Sequence, residues 1–142
     1  MADFELMDVT LVSDRFGRLR VPLEGDRREV VTLPAGAVVS TVLTFRTGQE
    51  VEGLRFVEER FRDGHLIATV NNTLGGFRAG GPYELQLTAE RLPAGPGNVG
   101  TYEVAGRFLD GSGRELARES HRFRIVPPGP PPEPGSPPET DT

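Results

Sequence analysis

Val38-Val39-Ser40-Thr41-Val42-Leu43-Thr44-Phe45-Arg46 is the stretch that decides the fold. Val39, Thr41, Leu43 and Phe45 fall at every second position, and the run is rich in β-branched residues, so it reads as a strand with one face turned to a core. The same period of two continues on both sides. Upstream, Val9 alternates with Leu11, then Leu19 with Val21 and Leu23, and Val31 with Leu33 before the turn Pro34-Ala35-Gly36. Downstream, residues 53–62, a weaker 66–74, 83–88, 100–109 and 115–126 read as further strands. Turn signals recur every 8 to 12 residues and no helical stripe exceeds about two turns, which is the pattern of an all-β domain. About nine strands in an antiparallel, Greek-key, immunoglobulin-like β-sandwich is the architecture this predicts. The chain lacks Cys and Trp, so the disulfide and tryptophan of antibody domains are excluded.

The 142 residues divide at Pro127. Beyond it, prolines fill half of the last sixteen positions and no large apolar side chain occurs, so residues 127–142 are expected to be a disordered, acidic, Pro-rich tail. Pro128 and Pro131 satisfy a loose P-x-x-P spacing, leaving a tail-binding partner possible in principle. Residues 1–8 are expected to be a short extension and residues 9–126 the sandwich.

Composition excludes several functions. Without cysteine and with only two histidines, no thiolate or all-histidine metal cage can form, and no cofactor is implied. The formal net charge of −5 argues against nucleic acid, which needs a basic footprint. No apolar run is long enough to span a bilayer, and Met1-Ala2-Asp3-Phe4-Glu5 lacks the features of a signal peptide. The expectation is a soluble cytoplasmic protein with no membrane insertion.

Chemical motifs are few. Gly95-Pro96-Gly97-Asn98-Val99-Gly100 matches the dinucleotide pattern G-x-G-x-x-G, but the following Thr101-Tyr102-Glu103-Val104 continues as strand where that motif requires a helix. Gly75-Gly76-Phe77-Arg78-Ala79-Gly80-Gly81 is either a flexible loop or an anion cradle. Asn71-Asn72-Thr73 is a glycosylation sequon, idle without secretion. Glu58 and Glu59 are adjacent on a strand, so they face opposite ways and form no carboxylate dyad. His121 is in phase with Phe123 and Ile125 and so faces inward, while Arg122 and Arg124 face outward. It is a general base or a hydrogen-bonded core histidine, and without a recognisable nucleophile nearby no enzyme is expected.

Read in order, several stretches resemble the immunoglobulin-like domain of the Rho GDP-dissociation inhibitors. They are Val9-Thr10-Leu11-Val12, Leu23-Glu24-Gly25-Asp26, Leu33-Pro34-Ala35-Gly36, Leu43-Thr44-Phe45-Arg46, Gly53-Leu54-Arg55-Phe56, Arg62-Asp63-Gly64, Leu74-Gly75-Gly76-Phe77, Tyr83-Glu84-Leu85, and Pro93-Ala94-Gly95 with Gly100-Thr101-Tyr102. The resemblance implies a module that takes an isoprenoid group, such as the geranylgeranyl of a prenylated small GTPase, between its sheets. The family's N-terminal regulatory arm has no counterpart in the eight residues before Val9. The pocket positions implied are Leu11, Val31, Val39, Phe45, Val51, Val104 and His121. The family's Trp-x-Trp falls on Glu119 and His121, which are therefore expected near the pocket opening. The alternative expectation is a structural or protein-interaction sandwich with a packed core and no lipid ligand.

Overall fold

The computed structural model describes residues 4–23 and 30–127. The Pro-rich tail lies outside them except for Pro127, as does the stretch 24–29, which takes in the last three residues of Leu23-Glu24-Gly25-Asp26. Ten strands are present among the described residues: β1 Phe4–Ser13, β2 Gly17–Arg20, β3 Val31–Pro34, β4 Val38–Thr47, β5 Val51–Arg62, β6 His65–Phe77, β7 Gly80–Gln86, β8 Glu90–Arg91, β9 Gly100–Leu109 and β10 Glu115–Val126. They build the expected immunoglobulin-like sandwich. One sheet runs β2-β1-β4-β7 with β8 also on β4, and the other runs β3-β10-β9-β5-β6. No helix among the described residues is long and apolar enough to cross a membrane.

β9 and β10 have the bounds their alternation predicts. β1 does not: it begins at Phe4, so the boundary expected at Val9 is corrected. The cause is a bulge between Leu6 and Asp8 in its pairing with β4. The extra residue puts Phe4 and Leu6 out of phase with Val9 and Leu11, which hides them from a period-two reading. Phe4 is nonetheless buried in the core. β8, two charged residues long, carries no alternation to read. β3 pairs with β10 in parallel, the one such pair among the described strands. It is reached by a crossing from the edge of one sheet to the edge of the other, which imposes no hairpin direction.

The hairpin joining β5 and β6 turns on Asp63 and Gly64, both with positive φ (53° and 80°). That geometry matches the strand twist and selects an Asp-Gly pair. The loop before β9 is fastened differently. Arg62 donates to the carbonyls of Gly97 (2.5 Å) and Val99 (2.7 Å) and lies 5.3 Å from the centre of the Tyr102 ring. This loop contains the G-x-G-x-x-G match and forms a short 3-10 turn, Pro96–Asn98, that leads into strand β9 rather than a helix. The glycine-rich Gly75–Gly81 region is likewise mostly extended, ending β6 and opening β7.

Candidate functional site

The two ends of the interior are built differently. At the end where β5 begins, six rings interlock: Phe4 with Phe45 (5.2 Å between centroids) and Phe108 (4.9 Å), Phe56 with Phe108 (4.5 Å), and Phe45, Phe77 and Tyr83 with one another (5.1 to 5.7 Å). Gly106 makes room for this. A Cβ there would stand 2.6 Å from the Phe56 ring, so the ring fills space that a side chain on β9 would otherwise take.

Past Phe56 the inward positions of β5 become charged. Leu54, Phe56, Glu58 and Arg60 are in phase, and the last two carry their charge between the sheets. A slot of about 40 Å³ lies there, walled by Val9, Leu11, Leu33, Val39, Leu92, Val104, Phe56 and Phe123, with Thr41, Glu58, Arg60, Glu90, Glu119 and His121 supplying polar groups. Two hydrogen-bonded pairs flank it. Arg60 donates two hydrogen bonds of 2.6 Å to the Glu90 carboxylate, linking β5 of one sheet to β8 of the other. On β10, the His121 Nδ1 stands 2.8 and 3.0 Å from the two Glu119 oxygens. A carboxylate only accepts, so this nitrogen carries the hydrogen and donates.

Both side chains of that second pair are buried, at 8% exposure for His121 and 4% for Glu119. Glu58 is the other buried carboxyl, and burial pushes its pKa up against the opposing pull of Arg60. Arg60 is committed elsewhere: its contact with Glu58 is 3.4 Å, against 2.6 Å to Glu90. The strong pair holds Glu90 below its ordinary carboxyl range, chiefly through the hydrogen bonds from Arg60, and raises the arginine's own pKa. Among the described residues every buried side-chain nitrogen and oxygen has a partner.

A second, wider concavity of about 1210 Å³ opens on the outer side of β9 and β10. Among the described residues, β3 covers β10 only from Phe123 to Val126. Arg107, Arg118, Arg122, Glu59 and Glu103 line this groove together with the apolar Leu6, Pro22, Leu23 and Phe61. Val104, Glu119 and His121 border both groove and slot. The histidine pair thus stands between the outer concavity and the interior.

Of the seven pocket positions implied from sequence, Leu11, Val39, Val104 and His121 meet at the slot. Val31, Phe45 and Val51 are buried but line neither space. Val31 sits opposite Phe123 at the sheet margin, Val51 pairs with Phe77, and Phe45 belongs to the ring cluster. Alternation tells which face a residue occupies, not where along the strand a gap opens. The sequence reading missed Glu58, Arg60 and Glu90. For Glu58 and Arg60 the signal lies in continuing the Leu54, Phe56 phase two steps further, whereas Glu90, on the two-residue β8, has none.

No protein-family model matches the chain, and no curated protein matches it in sequence. Among solved structures it is similar to a Niemann-Pick type C2 protein from Japanese carpenter ant, with a TM-score of 0.54 at 10% identity over 87% of this chain and 92% of that one. It is also similar to the C-terminal domain of wzt, with a TM-score of 0.64 at 11% identity over 89% of this chain and 75% of that one. At these identities the likeness is one of fold.

Proposed function

We propose that the chain is a non-catalytic binding module that takes an apolar group of isoprenoid class past the Glu119–His121 pair into the inter-sheet slot. The carrier that the sequence resemblance names is a prenylated protein such as a small GTPase. One observation supports the reading above others: four residues chosen for a pocket converge on a single slot between the sheets, and that slot shares its Glu119–His121 wall with an outer groove. A buried carboxyl with a raised pKa at the same place is a further mark of a binding site.

The volume sets the mechanism. A cavity of roughly 150 Å³ holds benzene, so the slot at about 40 Å³ admits no isoprenoid while closed. Seating one requires the sheets to part, which breaks the Arg60–Glu90 bridge between them. Each buried methylene returns about 0.8 kcal/mol, so a chain of several carbons offsets the loss of a partly exposed ion pair worth about 1 kcal/mol.

The small volume also favours a second reading, a packed sandwich that works through its surface. Thermal unfolding with farnesol and geranylgeraniol separates the two. At a hundredfold excess over Kd, binding adds about 2.7 kcal/mol and raises the melting temperature by roughly 10 °C. Val104→Asn puts an amide in the slot wall and abolishes that rise, and Leu11→Phe, which fills the slot, serves as the control if the first variant folds poorly. No shift with either alcohol, and no lipid retained by the purified protein in native mass spectrometry, leaves the packed-sandwich reading.

A further inference from the structure

Strand edges expose unpaired N–H and C=O groups, and folded proteins guard them with charge, proline or brevity. Nearly every margin of this sandwich is guarded in that way. β2 is four residues with Arg18 and Arg20, and β3 is four residues ending in Pro34. β7 carries Pro82 and Glu84, and β8 is Glu90-Arg91. The part of β10 that no described residue of β3 pairs with bears Glu115, Arg118, Glu119 and Arg122. β6 is the exception. It is thirteen residues long, lies at the end of its sheet with β5 as its one partner among the described strands, and contains neither charge nor proline from Leu66 to Phe77. Leu66 and Ile67 on it are about half exposed, among the largest apolar side chains open to solvent in the described residues.

We propose that this edge pairs with the same edge of a second copy of the chain, antiparallel about a two-fold axis at Val70, joining two five-stranded sheets into one. This inference is independent of the slot. A two-fold interface requires a segment that complements its own reverse, and β6 does. Centred on Val70, Leu66 meets Leu74, Ile67 meets Thr73, Ala68 meets Asn72 and Thr69 meets Asn71. The inward row and the outward row each pair with their own kind, and no charge opposes another. Two chains of formal charge −5 thereby meet where neither is charged. The chain's own tail is no rival for the edge, because prolines at half its positions cannot donate to a ladder. An interface of one strand pair is small, so the dimer is concentration-dependent.

Sedimentation equilibrium of the full chain from about 1 μM to about 1 mM tests this. Thr69 and Asn71 are exposed on the outward face, so changing them leaves the core intact. Thr69→Lys with Asn71→Lys sets lysines opposite each other twice and weakens dimerisation at least about tenfold. Thr69→Lys with Asn71→Glu sets opposite charges in the same places and restores it. A wild type that stays monomeric throughout overturns the proposal. So does a dimer indifferent to both double variants, and so does equal loss in both, which would indicate damage to the strand rather than repulsion across the axis.

Discussion

Six rings close one end of the interior, whereas five ionisable groups occupy the other, although β1, β4, β5 and β9 run through both. The difference originates on β5 and β9. Where β5 places Phe56 over Gly106, ring packs on ring and the space is filled. Two residues further along the same face, Glu58 and then Arg60 replace apolar side chains, and a small gap persists. Dispersion holds the first end, and it strengthens with every filled ångström. The second is held by directional pairs that lose their value when either partner leaves. A sandwich assembled this way is stiff at one end and separable at the other.

Three experiments put pressure on that contrast. Phe108→Ala, at a fully buried position touching the rings of Phe4 and Phe56, is expected to cost about 3–5 kcal/mol in denaturant unfolding. Losses below 1 kcal/mol would mean the ring cluster is not the stabilising end. Gly106→Ala, whose new methyl would meet the Phe56 ring, is expected to cost about 1–3 kcal/mol and to move Phe56 toward the slot. An unchanged midpoint would show that the ring has freedom to retreat.

The smallest effects are in the pH dependence. Glu58 has its folded pKa raised by burial, so its penalty is full at neutral pH and is relieved as pH falls through that folded value toward the unfolded one. Glu90 is the reverse: its contribution is present above the unfolded pKa and disappears as pH falls through the lowered folded value. Glu58→Gln should therefore raise the melting temperature at pH 7, with the gain fading in acid. Glu90→Gln should lower it at pH 7, with the deficit fading in acid. Parallel melting curves for the two variants from pH 7 to about pH 3 would show that the carboxyls do not share one arginine unequally.

The contrast also explains what could be read from sequence. Strands that alternate cleanly, such as Gly100–Leu109 and Glu115–Val126, are legible because burial of one face writes a period of two directly into residue type. Phe4 and Leu6 are not, because a bulge shifts phase without leaving a mark in composition. Leu11, Val39, Val104 and His121 are legible as inward residues, but Phe56, which walls the slot they share, packs against the bare backbone of Gly106. Such a fit belongs to two strands at once and cannot be read along either. Glu58 stands beside Glu59 in sequence, but its own face points inward with Leu54 and Phe56.

The attachment of the loop before β9 has a consequence of its own. Its 3-10 turn buries no residue, and its fastening to the sandwich runs through the Arg62 fork and the Tyr102 hydroxyl, which donates to the carbonyl of Asn98 (2.6 Å). A segment with so little apolar cover can detach while the sheets stay folded, as a separate opening unit with its own low free energy. Its amides should exchange with solvent long before those of β9. A lysine at position 62, one point charge where a planar fork now spans two carbonyls, would hasten that exchange without moving the midpoint of global unfolding.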